Sequence, residues 1–181
     1  METSEPELPD LALSVRQPWA WAILHGGKVI ENRSLGAIRA GNMRPGRICL
    51  HAARGMRRDE YAWGLWRLAR HGVRAPRPEA LVRGAIIGVI EVTGIITESS
   101  SEWFGGEAGL TLANPVPVDP IPAKGALGYF RWVPGGEIAP PAPWMPRFDL
   151  PGGDGDTAPL FPGLDPAFET PPPKPGRGRP R

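Results

Sequence analysis

Residues 13–34 read LSVRQPWAWAILHGGKVIENRS, and a proline and a glycine pair divide the stretch into three pieces. Together with Leu11 and Ala12, the opening LSV alternates apolar and small residues as a short strand does. Pro18 suits the first turn of a helix, since the N–H it lacks would have no helical partner there. Trp19–His25 then fits one short helix, ended by Gly26 and Gly27. Residues 28–33, KVIENR, return to a strand pattern. Alternation on that strand places Glu31 and Arg33 on one face and Ile30 on the other, toward the core. By strict counting Lys28 falls with Ile30. It joins the Glu31/Arg33 face only if the backbone twists at the two glycines, which glycine permits.

Working outward, RICLHAA (47–53) is the expected partner of the 28–33 strand, with a turn-rich stretch between them. Residues 57–71 form the clearest helix: Tyr61, Leu65, Leu68 and Ala69 recur at helical spacing, while Arg58, Arg67 and Arg70 occupy the remaining surface. GAIIGVIEVTGIIT (84–97) is the most β-branched stretch and predicts one bent strand, with Gly88 or Gly94 allowing a bulge. A loop or short helix is expected over 99–109. Two short strands follow, near 110–113 and 127–132, separated by the proline-rich 114–125.

The chain has 181 residues, enough for one ordinary domain and an appendage. Hydrophobic residues make up 41% and seven residues are Trp, so a sizeable core can be buried. The 24 Pro and 24 Gly, however, crowd toward the C-terminus. The expected organisation is a disordered acidic leader over 1–10, a folded domain over 11–133, and a Pro/Gly-rich, low-complexity tail over 134–181. Trp144, Phe148, Leu160, Phe161 and Phe168 punctuate that tail. They are either isolated apolar residues in a disordered segment or anchors that dock on the domain or on a partner.

The one cysteine, Cys49, excludes an internal disulfide and fits a reducing, cytoplasmic location. No apolar run approaches the roughly 18 residues needed to span a bilayer, so no membrane partner is expected. His25, His51, His71 and Cys49 lack metal-ligand spacing, and neither a metal nor a cofactor is expected. No Gly-rich phosphate loop or nucleophile elbow is present. The net charge of +2 is too small to imply nucleic-acid binding by itself; placement of the charges matters more.

Several motifs occur in a fixed order: RQPWA at 16–20, then G-x-K-x-x-E-x-R as Gly26, Lys28, Glu31 and Arg33, then LHAA at 50–53. GAIIGVIEV at 84–92, WF at 103–104, LANP at 112–115 and PIPAKGALGYF at 120–130 complete the series. This series resembles the ASCH family of the PUA-like superfamily over residues 11–133. The resemblance implies an α+β fold, a small PUA-like mixed β-barrel with flanking short helices. It also implies a polar cleft suited to RNA, a nucleotide or a modified base.

The candidate cleft residues are Arg16, Gln17, Lys28, Glu31, Arg33 and Trp103. A carboxylate between two cations stays ionised, and an arginine beside it offers planar donors to a phosphate or a base edge. The competing explanation is an ion pair that merely pins a strand end. Gln17 can pair with an adenine-type edge and Arg16 with phosphate or guanine. Trp103 is either a stacking platform for a base or a structural lid. His51 could donate into the cleft or serve as a satisfied barrel residue.

Some ASCH-like proteins are amidohydrolases acting on acetylated cytidine, and others are ribonucleases or simple RNA binders. The hydrolase pattern resembles a Lys, a Thr three residues on, and a distant Glu. Lys28 matches the Lys, but Glu31 stands at the Thr position, and Glu107 is only a loose match for the distant carboxylate. Lys28 and Glu31 are the catalytic candidates if the chain is an enzyme; binding ranks above catalysis, and an adaptor acting through its tail is a third class. Near the end, Arg177-Gly178-Arg179-Pro180 reproduces the core of an AT-hook, although Gly176 replaces the preceding proline. Arg177 and Arg179 would enter the minor groove of A·T-rich DNA, or else form a solvated basic tail.

Overall fold

The computed structural model describes residues 7–150 and 171–176. Its elements run β1 (Leu11–Val15), α1 (Trp19–His25), β2 (Ile30–Arg33), α2 (Leu35–Ala40), β3 (Gly46–Ala52), α3 (Arg58–Arg70), a 3-10 turn (Pro78–Ala80), β4 (Ala85–Ile96), β5 (Ala108–Pro122) and β6 (Tyr129–Arg131). The strands make one six-stranded mixed sheet in the order β2-β5-β4-β3-β1-β6. The β1/β3 pair is parallel and the other four pairings are antiparallel.

The two ends of the sheet are drawn together. Arg33, on the end strand β2, donates to the carbonyl oxygen of Ser14 on β1 at 2.9 Å. Gly41, which caps α2, accepts from the N–H of Tyr129 on the other end strand at 2.9 Å. Within the curled sheet lies the main apolar cluster, drawn from Leu13, Val15, Ile48, Leu50, Ile90 and Leu110, with Ile23 of α1 and Ile38 of α2. This is an α+β fold, a mixed sheet with short helices, as the sequence predicts. β4 shifts register against β5 near Ile86/Gly88, Val89/Glu91 and Val92/Gly94. Such bulges bend a strand and increase its twist.

Three local expectations need correction. β2 pairs antiparallel with β5, Glu31 facing Leu110 and Arg33 facing Ala108, and not with residues 47–53; β3 sits between β1 and β4. Residues 35–40 are a helix, whose N-cap Ser34 accepts from the N–H of Ala37. β5 continues for 15 residues, through the prolines expected to break it. After Leu112, whose N–H still bonds the Val29 carbonyl, its pairings among the described residues' strands are with β4 alone, so Pro115, Pro117, Pro120 and Pro122 sit where one strand edge is unpaired and a missing N–H costs little.

α3 packs a second cluster on the outside of the sheet: Tyr61, Leu65 and Leu68 with Met56, Leu81 and Ala22. Met145 and Phe148 belong to the same cluster, Met145 fully buried and Phe148 edge-on to Tyr61 at 4.9 Å. Packing against the domain thus continues past residue 133, and of the two roles weighed for Trp144 and Phe148 the docked one is observed. Leu160, Phe161, Phe168, Arg177 and Arg179 lie outside the described residues. Among those described, no helix is long and apolar enough to cross a membrane.

Candidate nucleic-acid cleft

Lys28 precedes β2. Gly27 adopts φ +71°, and the Lys28 N–H reaches back to the carbonyl of Ala22 in the middle of α1. This turn swings the lysine side chain round to Glu31. The ammonium donates to Glu31 Oε2 at 2.9 Å and to the Ile30 carbonyl, and it stands 5.9 Å from the centre of the Trp19 ring. Glu31 Oε1 lies 3.2 Å from Arg33 Nη2. The three charges therefore form one chain. Lys28 is 5% exposed, and the Glu31 and Arg33 side chains are 11% and 24% exposed.

The face on which they sit differs from the sequence expectation. Cross-strand partners share a face, so Glu31 and Arg33 point the same way as Leu110 and Ala108, into the curled sheet. Ile30 is on the opposite face. There it is buried over Gly109, where a Cβ would come within 2.6 Å of its Cγ2 and 3.5 Å of Phe104. Burial pushes the Glu31 carboxyl upward, but the Lys28 and Arg33 cations outweigh it and hold the group below the usual carboxylate range. Arg33 is not fully satisfied: its Nε–H is buried and has no acceptor among the described residues.

Ser14 joins this chain to a second network. Its carbonyl takes Arg33, while its hydroxyl lies 2.9 Å from His51 Nδ1. His51 Nε2 is 2.9 Å from the Ala123 carbonyl, which can only accept, so Nε2 carries the proton and Nδ1 accepts from Ser14. Burial lowers the His51 pKa below its ordinary value, keeping the ring neutral. Gly125 lies flat on the pair: a Cβ there would fall 2.6 Å from His51 Cε1 and 3.1 Å from Ser14 Oγ. Ser14 and His51 line a cavity of about 600 Å³ whose rim carries Arg54, Lys124, Leu127 and Glu137.

The other candidates are occupied elsewhere. Gln17 is buried, its amide donating to the Val82 carbonyl and accepting from the Trp21 N–H, so it braces the start of α1. Half-exposed Arg16 pairs with Glu60 of α3 at 2.9 Å. Trp103 is stacked face to face on His71 at 3.6 Å, and its carbonyl accepts from Asn32; one ring face is thereby covered. Glu107 accepts from the N–H of Leu35 at the start of α2. Sequence reasoning missed Ser14, Arg54, Lys124 and Glu137. Lys124 beside Gly125 was the available signal, a cation in a loop where a close approach excludes a side chain. Among the described residues no group of three or more His, Cys, Asp or Glu could hold a metal ion.

Fold and site together define a small mixed α+β domain with a buried charge chain and an adjoining cavity where its sheet curls shut. The model of the ASCH domain matches residues 13–131, and the chain belongs to the ASCH family, whose members generally bind RNA. Among solved structures, a mutant of ZmASCH from Zymomonas mobilis is similar, with 18% identity, a TM-score of 0.34, and coverage of 64% of this chain and 77% of that one. No curated protein matches the chain.

Proposed function

We propose that this protein binds single-stranded RNA, taking one nucleotide, ordinary or modified, into the cavity at Ser14 and its phosphate or base edge onto Arg33. The observation that carries this is the buried Arg33 Nε–H without an acceptor, on a side chain still 24% exposed. A buried donor left unpaired costs roughly 1–3 kcal/mol; the atom is closed to solvent as it stands, so a phosphate or base oxygen satisfies it once the guanidinium turns toward the exposed part of its side chain. The chain Lys28–Glu31–Arg33 sums to one positive charge, which favours an anionic ligand. Arg54 and Lys124 add cations at the rim of a cavity whose volume lies within the range of small-ligand sites.

Hydrolysis through Lys28 has less support. Its side-chain nitrogen is committed to Glu31 and to the Ile30 carbonyl, and no hydroxyl stands at position 31.

The test is a titration of labelled RNA oligomers against wild type, Arg33→Lys, Lys124→Ala and the Lys28→Ala/Arg33→Ala double variant. Arg33→Lys keeps the charge but removes the Nε–H, and Lys124→Ala is exposed and leaves the fold intact. Weaker binding by both is expected. Affinities equal to wild type in all three variants would sink the cleft assignment.

A further inference from the structure

Residues beyond the family-matched stretch complete the cavity. The match ends at residue 131, yet Gly135, Gly136 and Glu137 form one cavity wall. This segment is tied down along its length. Ala123 and Pro134 form a bridge, and the Gly135 N–H bonds the Pro122 carbonyl at 2.9 Å. Arg54 donates to the Glu137 carbonyl at 3.0 Å. Arg83, 6% exposed, donates to the carbonyls of Arg54 and Pro140 at 2.6 Å each, while its own carbonyl takes the Ala139 N–H. Met145 and Phe148 then anchor the end of the strap under α3.

The one bond of this set that involves Glu137, from Arg54, uses its main-chain carbonyl. Among the described residues its carboxylate has no hydrogen bond or ion pair, and neither has the Lys124 ammonium. An uncommitted carboxylate at the rim of a cavity with two cations is a poor choice for holding phosphate alone, since it repels it. It suits a ligand with separate acceptor and donor ends. Carboxylates accept from exocyclic amino groups, as of cytosine, whereas uracil presents a carbonyl oxygen at the same position.

Resting on the RNA-binding proposal, we infer that the strap over residues 134–140 is a specificity element, in which Glu137 selects a base with an exocyclic amino group while Lys124 and Arg54 face the phosphate. Anisotropy titrations of the full chain with labelled oligo-rC, oligo-rA and oligo-rU, using wild type, Glu137→Gln and Glu137→Leu, test this. Wild type is expected to favour rC or rA over rU by about tenfold, the scale of one well-placed base contact. Glu137→Gln keeps an acceptor and loses the charge, so it should retain much of the preference and bind all three oligomers somewhat more tightly. Glu137→Leu should bring the three affinities together. Equal wild-type affinities, or a preference unchanged by Glu137→Leu while Arg33→Lys still weakens binding, would overturn the strap's role and leave the cleft standing. No binding of any oligomer by wild type would overturn both.

Discussion

Arg33 reaches from β2 to the Ser14 carbonyl on β1, two strands that share no backbone ladder. The bond spans the seam of the curled sheet, and the same guanidinium contacts Glu31. Closure of the fold and the charge state of the site therefore share one side chain. Replacing Arg33 with Met should remove a charged hydrogen bond worth about 1.5–3 kcal/mol and lower the denaturant midpoint by a corresponding amount. Arg33→Lys should recover part of that stability without restoring ligand affinity. Equal losses of stability in both variants would show that charge has no part in closing the seam.

Glu31 stands between two cations, and its removal leaves both without their anion. Glu31→Gln should cost about 3–5 kcal/mol, as for breaking a buried pair from one side. The pH dependence has a definite sign. The folded-state pKa lies below the ordinary 4.5, so the stabilisation is fully present above that value and is lost as pH falls through the folded value. Urea midpoints measured from pH 6 downward should fall across this acid window in wild type, more steeply than in Glu31→Gln.

His51 gives a second window at higher pH. Its folded pKa is lowered from 6.5, chiefly by burial, so the unfolded chain takes up the proton first as pH drops below 6.5 and stability declines from there toward the folded value. His71 is shifted the same way and adds to the slope, so the His51→Asn variant is the necessary control: it should flatten the curve in part. Nitrogen chemical shifts should report the Nε2–H tautomer of His51 above pH 6.5. A protonated Nδ1 would contradict the bond from Ser14.

The elements were legible where local signals agreed. α1 is bounded as expected, because Pro18 and Gly26 stop it on either side. α2 escaped because two glycines and six residues look like a turn; Ser34 as N-cap was the one signal that could have found it. The partner of β2 could not be read from order along the chain, since neighbouring strands in sequence usually pair and here the curling sheet selects β5. Lys28, Glu31 and Arg33 were legible as a motif, but their inward face was not, since alternation gives which residues share a side and only the β5 register says which side is inside. The cavity was hidden for another reason: Ser14, Arg54, Lys124 and Glu137 come from four separate segments.

The docked segment after residue 133 changes what a minimal domain is. Met145 is fully buried against the α3 cluster, and Phe148 is 8% exposed and edge-on to Tyr61. Met145→Ala and Phe148→Ala should each destabilise by about 2–5 kcal/mol. A fragment ending at residue 132 should be less stable still, with faster amide exchange in α3 than in β3. A fragment as stable as the full chain would mean that these contacts contribute nothing beyond covering the surface.

Gly125 gives the most local check on the cavity. With any side chain, its Cβ would lie 2.6 Å from His51 Cε1, 3.0 Å from Nδ1 and 3.1 Å from Ser14 Oγ. His51 is 1% exposed and held at both ring nitrogens, so it cannot swing aside without giving up a bond. Gly125→Ala must therefore lift the 124–127 loop or break the Ser14–His51 pair, at about 1–3 kcal/mol for overpacking. Lifting the loop moves Lys124 from the cavity rim, so RNA affinity should fall while the His51 ring shifts stay as in wild type. Breaking the pair instead should change the His51 tautomer signals and leave the loop's amide shifts near their original values. Comparing the two sets of signals in one variant separates a cavity that depends on its loop from one that depends on its histidine.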